Sequence, residues 1–588
     1  MPNTDSPAGR PSIRQLRARA VLGVLWGAGV LFLLGFPACR AAGTAAAPLL
    51  LLNGNIYTAA GQARAQAIVI VEGRITFVGA TPDALRRLPA GARRIDLHGV
   101  TVLPGLTDAH VHLDGVGERE LTFNLEGTGS LQELKNKLRE RANGLPAGAW
   151  LFGRGWLEAR WSPPAFPTRQ DLDAVAPNLA VVLERADGHA LVANSLALRR
   201  AGIDRNSADP PGGSILKDAA GEPSGMLIDN AQNAVERLLP PPTAAETLHA
   251  LEVGAKRSER LGWTQLQIAG TSLHEVDQLC ELYGQGRIQL RVYAAIGGPS
   301  ADATRLLTQG PPSLERCGNK LSVRGIKLYI DGALGSRGAA LLAPYSDSPG
   351  SAGLLVNTEA TLFPILTSAL RRGVQIETHA IGDRGNRLML DLYERAFKAV
   401  PVSERAVAEP RWRIEHAQIL SPQDIPRFAK LGVIASMQPS HAIGDLYFAP
   451  ARLGAQRLAG AYAWRSLLDS GAVIAAGSDA PVEKGDPLVE FYAAVSRRSL
   501  QGFADADWHL EQRVSRAEAL RMLTLAPAYA AFQEKERGSI EVGKLADLTV
   551  LSADIMTVPE ADILRAHVLM TIVGGAVAYA APDAPPVS

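Results

Sequence analysis

Leu103-Pro104-Gly105-Leu106-Thr107-Asp108-Ala109-His110-Val111-His112 is an apolar run that ends on two histidines separated by one residue. Alternate side chains of a β-strand share a face, so both imidazoles can point into one cavity at the strand's end. A lone H-x-H is weak evidence for a metal site, and its weight depends on what the rest of the chain brings to it. His379 closes the apolar run 374–378, and His416 closes 412–415. Asp479 follows Val473-Ile474-Ala475-Ala476-Gly477-Ser478 in the same way. Four histidines and one carboxylate therefore stand at the C-terminal ends of four separate strand candidates. That donor set suits Zn²⁺, Mn²⁺ or a similar divalent ion.

Outward from these residues, the middle of the chain alternates short apolar runs with helix-like segments, the pattern of βαβ units and a parallel sheet. Eight strand candidates can be placed, at 101–112, 264–269, 290–296, 323–330, 374–379, 412–418, 433–438 and 473–478. Eight is the count of a TIM-like (β/α)8 barrel, which carries its chemistry at the C-terminal ends of its strands. Between the first two candidates lies a stretch too long for a βα loop. Residues 115–260 are expected to form an inserted subdomain over the barrel mouth. Runs at 49–53, 67–71 and 74–78, separated by Asn-Gly and Glu-Gly turns, read as antiparallel strands, and 548–551 and 568–573 near the other end read alike. The fold class expected is α/β. Residues 105–537 form the barrel, and 48–104 with 538–580 form a small β-sandwich assembled from both chain ends.

Apolar residues make up 47% and charged residues 20% of the 588, an ordinary globular composition. Sixty basic against fifty-nine acidic residues leave a net charge of +1, which gives no support for nucleic-acid binding. Arg10, Arg14, Arg17 and Arg19 precede the apolar run 21–36 and then Pro37-Ala38-Cys39. That order reads as a secretory signal over 1–38. Cys39 resembles the lipidated cysteine of a bacterial lipoprotein, although Phe36 and Pro37 depart from that pattern, and the equal alternative is ordinary export with cleavage within the Ala-rich stretch 41–47. The expected localisation is periplasmic or membrane-tethered, with the membrane met only through the signal or the lipid anchor. Cys280 and Cys317 lie in no C-x-x-C pair and are expected to be buried free thiols.

The stretch 103–112, the single histidines His379 and His416, and Ser478-Asp479 resemble the amidohydrolase superfamily, and the similarity spans nearly the whole mature chain. Gly153-Arg154-Gly155-Trp156, Asp187-Gly188-His189-Ala190 and the run from Lys327 through Asp331-Gly332-Ala333-Leu334-Gly335-Ser336-Arg337 look like the subgroup of YtcJ-like proteins and N-substituted formamide deformylases. The resemblance implies one or two divalent ions, zinc foremost. It implies His110, His112 and Asp479 on one ion, His379 and His416 on the other, and a carboxylated Lys327 bridging them. The alternative for Lys327 is a buried ammonium paired with Asp331 or another carboxylate beside a single ion. The reaction implied is hydrolysis of an amide C–N bond in a small molecule, of N-substituted formamide or N-acyl amine type, by water activated at the metal. Asp479 would serve as general base.

Trp156 and His189 in the insertion, Arg337 after the fourth strand and His441 after the seventh are candidate substrate contacts, each with packing or a surface ion pair as its alternative. His98, His249, His274, His509 and His567 have no supporting context. Two other enzymatic readings stay open. A deaminase of this superfamily would carry a glutamate three residues after His379, where Ala380-Ile381-Gly382-Asp383 stands instead. Ester or lactone hydrolysis could use the same metal chemistry. A non-catalytic solute-binding lipoprotein is the alternative of another class, and its mark would be a broken ligand set. Homodimerisation is left open by the sequence.

Overall fold

The computed structural model describes residues 47–61, 64–309, 316–505 and 507–588. The expected signal at 1–38 and Cys39 lie outside the described residues. Eight parallel strands form one sheet that curls into a barrel. They are β1 (Leu106–Val111), β2 (Trp263–Thr271), β3 (Arg291–Gly297), β4 (Leu321–Tyr329), β5 (Gln375–Ala380), β6 (Arg413–His416), β7 (Ile434–Met437) and β8 (Ile474–Ala476). Each pairs with the next in parallel register. The seam between β8 and β1 is held by the Asp479 amide donating to the His110 carbonyl at 2.7 Å and by the Ser478 amide donating to Asp108 Oδ1 at 2.8 Å. Gly477 is required there, because a Cβ would stand 2.4 Å from the His110 amide nitrogen.

The expected strand 101–112 is two strands. Thr101–Pro104 belongs to a separate sheet, and the barrel strand begins at Leu106. Gly105 marks the break, its amide donating to the Asp547 carbonyl at 2.7 Å. The sheet containing Thr101–Pro104 interleaves both chain ends, with Leu548–Leu551 and Val568–Val573 on one side and Asn55–Tyr57 on the other. A second sheet of four strands, all from residues 49–96, packs against it. Leu49, Ile68 and Ile95 from one sheet share a core with Val102, Leu548 and Ile572 from the other.

Helix α1 (Leu113–Leu121) leaves β1 and packs along α2 (Ala244–Arg260). α2 in turn contacts β2 and the sheet of the chain ends. The expected insertion of 115–260 is therefore shorter, since α1 and α2 at its two ends form barrel wall. Between them a six-stranded sheet runs from Phe123–Asn124 to Pro223–Asp229. Its two faces carry separate apolar cores, one around Leu134, Trp156 and Val181 and one around Val182, Leu198 and Ile215.

Cys280, on helix Leu273–Gly284, and Cys317, in the turn before β4, are joined by a disulfide with a Cα separation of 5.3 Å. This corrects the expectation of free thiols. Successive βα units bring helix and turn together across 37 residues of sequence, a spacing with no local signature.

Candidate active site

All six residues expected at the metal centre are buried at the C-terminal mouth of the barrel. Strand alternation aims most of them. On β5, Gln375, Glu377 and His379 share a face, and on β4 Gly325, Lys327 and Tyr329 stand beside them in register. β6 breaks the rule at the decisive residue. His416 has the parity of Ile414, which packs in the main core, but a φ of +73° turns its ring towards His110 and His379. Asp479 is likewise left-handed, with a φ of +56°. Non-glycine residues held there are costly, by ~1–3 kcal/mol each, and concentrate at functional sites.

His110, His416 and Asp479 offer ligand atoms that lie within 4.8 Å of one another. His112 Nε2 is 3.1 Å from Asp479 Oδ1, and His110 Nε2 is 3.4 Å from the same oxygen. Lys327 Nζ stands 3.2 Å from His110 Nε2. The rings of His379 and His416 are 4.6 Å apart, yet His379 Nε2 faces the Gly332 carbonyl at 3.4 Å and Asp331 at 3.5 Å. The tight group thus takes one member, His416, from the pair expected on a second ion.

Outer partners fix the rings. His110 Nδ1 is hydrogen-bonded to the Glu415 carboxylate, and His416 Nδ1 donates to Gln438 Oε1 at 2.8 Å. With Nδ1 engaged, Nε2 of each ring is the nitrogen that could coordinate an ion. Burial, reinforced by neighbouring positive charge, holds His379 and His416 well below the usual histidine range, so they stand as neutral imidazoles. His441 is pushed down to about 3, again chiefly by burial. Two imidazole nitrogens and a carboxylate oxygen, oriented from behind, fit a divalent ion such as zinc.

The mouth opens into a cavity of about 2340 Å³ between the barrel and the inserted sheet. His189 and His441 line it. The His189 ring lies 5.1 Å from that of His379 and its Nδ1 is 2.7 Å from Asp229 Oδ1. The His441 ring stacks on His416 at 5.8 Å, its Nε2 3.6 Å from Asp479 Oδ2. Trp156 and Arg337 are not among its lining residues. In strand Trp150–Trp156, Trp150, Phe152 and Arg154 face the cavity, and alternation would send Trp156 there too. A bulge at Gly155, with a φ of +104°, reverses the parity and drops Trp156 into the core of the inserted sheet. Arg337 is tied to Asp347 by bonds of 2.9 and 3.2 Å and makes a surface ion pair.

Sequence reasoning passed over Glu415, Gln438, Asp108 and Asp229. Glu415 carried a signal, being a carboxylate inside a strand candidate and next to a candidate ligand. Asp108 accepts hydrogen bonds from the Ser478 hydroxyl at 2.5 Å and from the His110 amide at 3.2 Å, and burial pushes its carboxyl up to about 7. Ser478 is 370 residues away, so nothing local announced that bond.

Residues 93–579 match the amidohydrolase family model. The chain is 33% identical to YtcJ of Bacillus subtilis (strain 168) over 90% of its own length and 98% of that protein. It is 28% identical to the N-substituted formamide deformylase of Arthrobacter pascens, over 90% and 98% of the two chains. The crystal structure of an uncharacterized metal-dependent hydrolase from Pyrococcus horikoshii OT3 superposes with a TM-score of 0.69 at 27% identity, covering 87% of this chain and 99% of that one. With a parallel barrel, a histidine and aspartate cluster at its mouth and a family match along most of its length, the chain belongs to the amidohydrolase family and is a metal-dependent hydrolase.

Proposed function

We propose that this hydrolase cleaves amide C–N bonds of small molecules, of the N-substituted formamide or N-acyl amine type. The observation that carries the reading is the convergence of His110, His416 and Asp479 on one point at the barrel mouth, where His416 and Asp479 line the cavity. Similarity to an N-substituted formamide deformylase over nearly its full length supports the substrate type. His110, His112, His416 and Asp479 would hold a divalent ion, and His379 and Lys327, the latter carboxylated, would serve a second one. A divalent ion there supplies Lewis acidity and lowers the pKa of water towards ~7.

Asp479 accepts the proton of the attacking water and passes it to the departing nitrogen as the tetrahedral carbon collapses. His441, within reach of Asp479, and His189, held by Asp229, orient the scissile group from the cavity side. We also propose that the mature chain works outside the cytoplasm. The Cys280–Cys317 bond supports this, because disulfides persist in oxidising compartments.

Assaying the metal-reconstituted mature chain against N-substituted formamides, N-acetyl amines, esters and aminated heterocycles tests the reaction class. Amine release from the amides is expected. Turnover confined to esters or to deamination would overturn the reading. Asp479→Asn should keep the circular dichroism spectrum and lose ~10²–10⁴-fold in kcat, and near-normal turnover would remove Asp479 from its role.

A further inference from the structure

The turn at residues 185–188 carries chemistry that amide hydrolysis does not use. Its position is set by the next residue, His189, whose ring stands against that of His379. Glu184 precedes the turn and Asp187 lies within it, paired with the Arg185 guanidinium, and both line the cavity. A Cβ on Gly188 would lie 3.1 Å from Glu184 Oε1, so that carboxylate rests directly on the turn. Gln232 closes the same wall, its Nε2 donating to the Gly188 carbonyl at 3.2 Å. That bond fixes which way the amide points. It leaves Gln232 Oε1 buried without a hydrogen-bond partner among the described residues, on a side chain that lines the cavity and is 6% exposed. A buried acceptor without a donor costs ~1–3 kcal/mol, and a ligand N–H would satisfy it.

The charge of the cavity points the same way. Among the described residues lining it, fifteen are Asp or Glu and six are Lys or Arg, in a chain whose net charge is +1. The cation nearest Glu184 is Arg154, at 3.6 Å, beyond hydrogen-bonding distance. A low-dielectric cleft lined by one sign of charge concentrates ligands of the other. We infer that the wall formed by Glu184 and Gln232, beside an Asp187 already paired with Arg185, is a subsite for a cationic nitrogen, so that the preferred substrates are N-acyl or N-formyl amines bearing a second, protonated amine. This inference rests on the amide-hydrolase reading.

Three probes with one linker separate the outcomes. They are mono-N-acetylated 1,5-diaminopentane, N-hexylacetamide and 6-acetamidohexanoate, which end in an ammonium, a methyl and a carboxylate. The wild-type holoenzyme is expected to favour the first over the second by roughly 10- to 100-fold in kcat/KM, with the third slowest and the preference shrinking as salt rises. Glu184→Gln and Gln232→Leu should each narrow the ammonium-to-methyl ratio severalfold. Equal rates for the ammonium and methyl probes would overturn the inference without touching the amide reading. So would a carboxylate preference, which would assign the wall to Arg154 instead. If none of the probes is hydrolysed, calorimetric binding of each to the wild-type holoenzyme decides. Tighter binding of the ammonium probe would uphold the subsite while the amide reading fails, and equal binding would overturn it. The wild-type comparison needs no variant to fold.

Discussion

His110 is bound from both sides, by the Glu415 carboxylate at Nδ1 and by Lys327 and Asp479 at Nε2. Such outer carboxylates set the tautomer and basicity of a ligating imidazole, and losing one typically weakens metal affinity ~10–100-fold. Glu415→Gln keeps the shape and removes the charge. Metal titration of that variant should show affinity lower by this factor, whereas unchanged affinity would mean that Glu415 only fills space. At this scale the sequence was informative about which residues gather at the barrel mouth and much less so about their supports. His110, His112, His379, His416 and Asp479 each end a strand candidate, and a period of two aims most of them. His416 reaches the site through a left-handed φ, which no pattern announces. Trp156 misses the cavity because one glycine bulge inverts the alternation that pointed it there.

At the scale of elements, all eight barrel strands could be read from apolar runs, because strands buried on both faces are near-continuously apolar. The error fell where two strands abut without a loop. Thr101–Pro104 and β1 are collinear in sequence, and only the handover of Gly105 to the Asp547 carbonyl separates the sheets. Helix Arg516–Met522 carries a local signature at its N-terminus. Ser515 and Glu518 form a reciprocal capping box, and Glu518 also bonds Arg465. The Arg465 guanidinium, with help from Ser515, brings the Glu518 carboxyl down to about 2. A depressed acid stabilises the fold fully above its unfolded value, ~4.3, and loses that contribution as pH falls through its folded value. Glu518→Gln should therefore melt lower than wild type at pH 7. The gap should close as pH drops from 5 towards 2, and a gap constant over that range would refute the assignment.

Across the whole molecule, the chain ends meet in one sandwich, the barrel lies between them and the inserted sheet roofs its mouth. The order of these layers was legible from composition, since strand-rich ends bracket an alternating middle. The boundaries were not, because α2 is an amphipathic helix whether it packs on the barrel or on the insertion. The Cys280–Cys317 bond was equally hidden, as contact between a helix and a turn 37 residues away depends on the closed barrel. A loop of that length constrains the unfolded chain by about 3–4 kcal/mol. Cys280→Ser with Cys317→Ser should lower the melting temperature while leaving metal content intact. An unchanged melting temperature would show that the bond carries no stability.

The central claim is that the cluster at the barrel mouth holds the metal on which hydrolysis depends. Elemental analysis of metal per chain, comparing the wild type with a folded His110→Ala, His416→Ala double variant, tests it most directly. One to two divalent ions per wild-type chain and a loss of at least one in the variant are predicted; equal metal content in the two proteins would contradict the account.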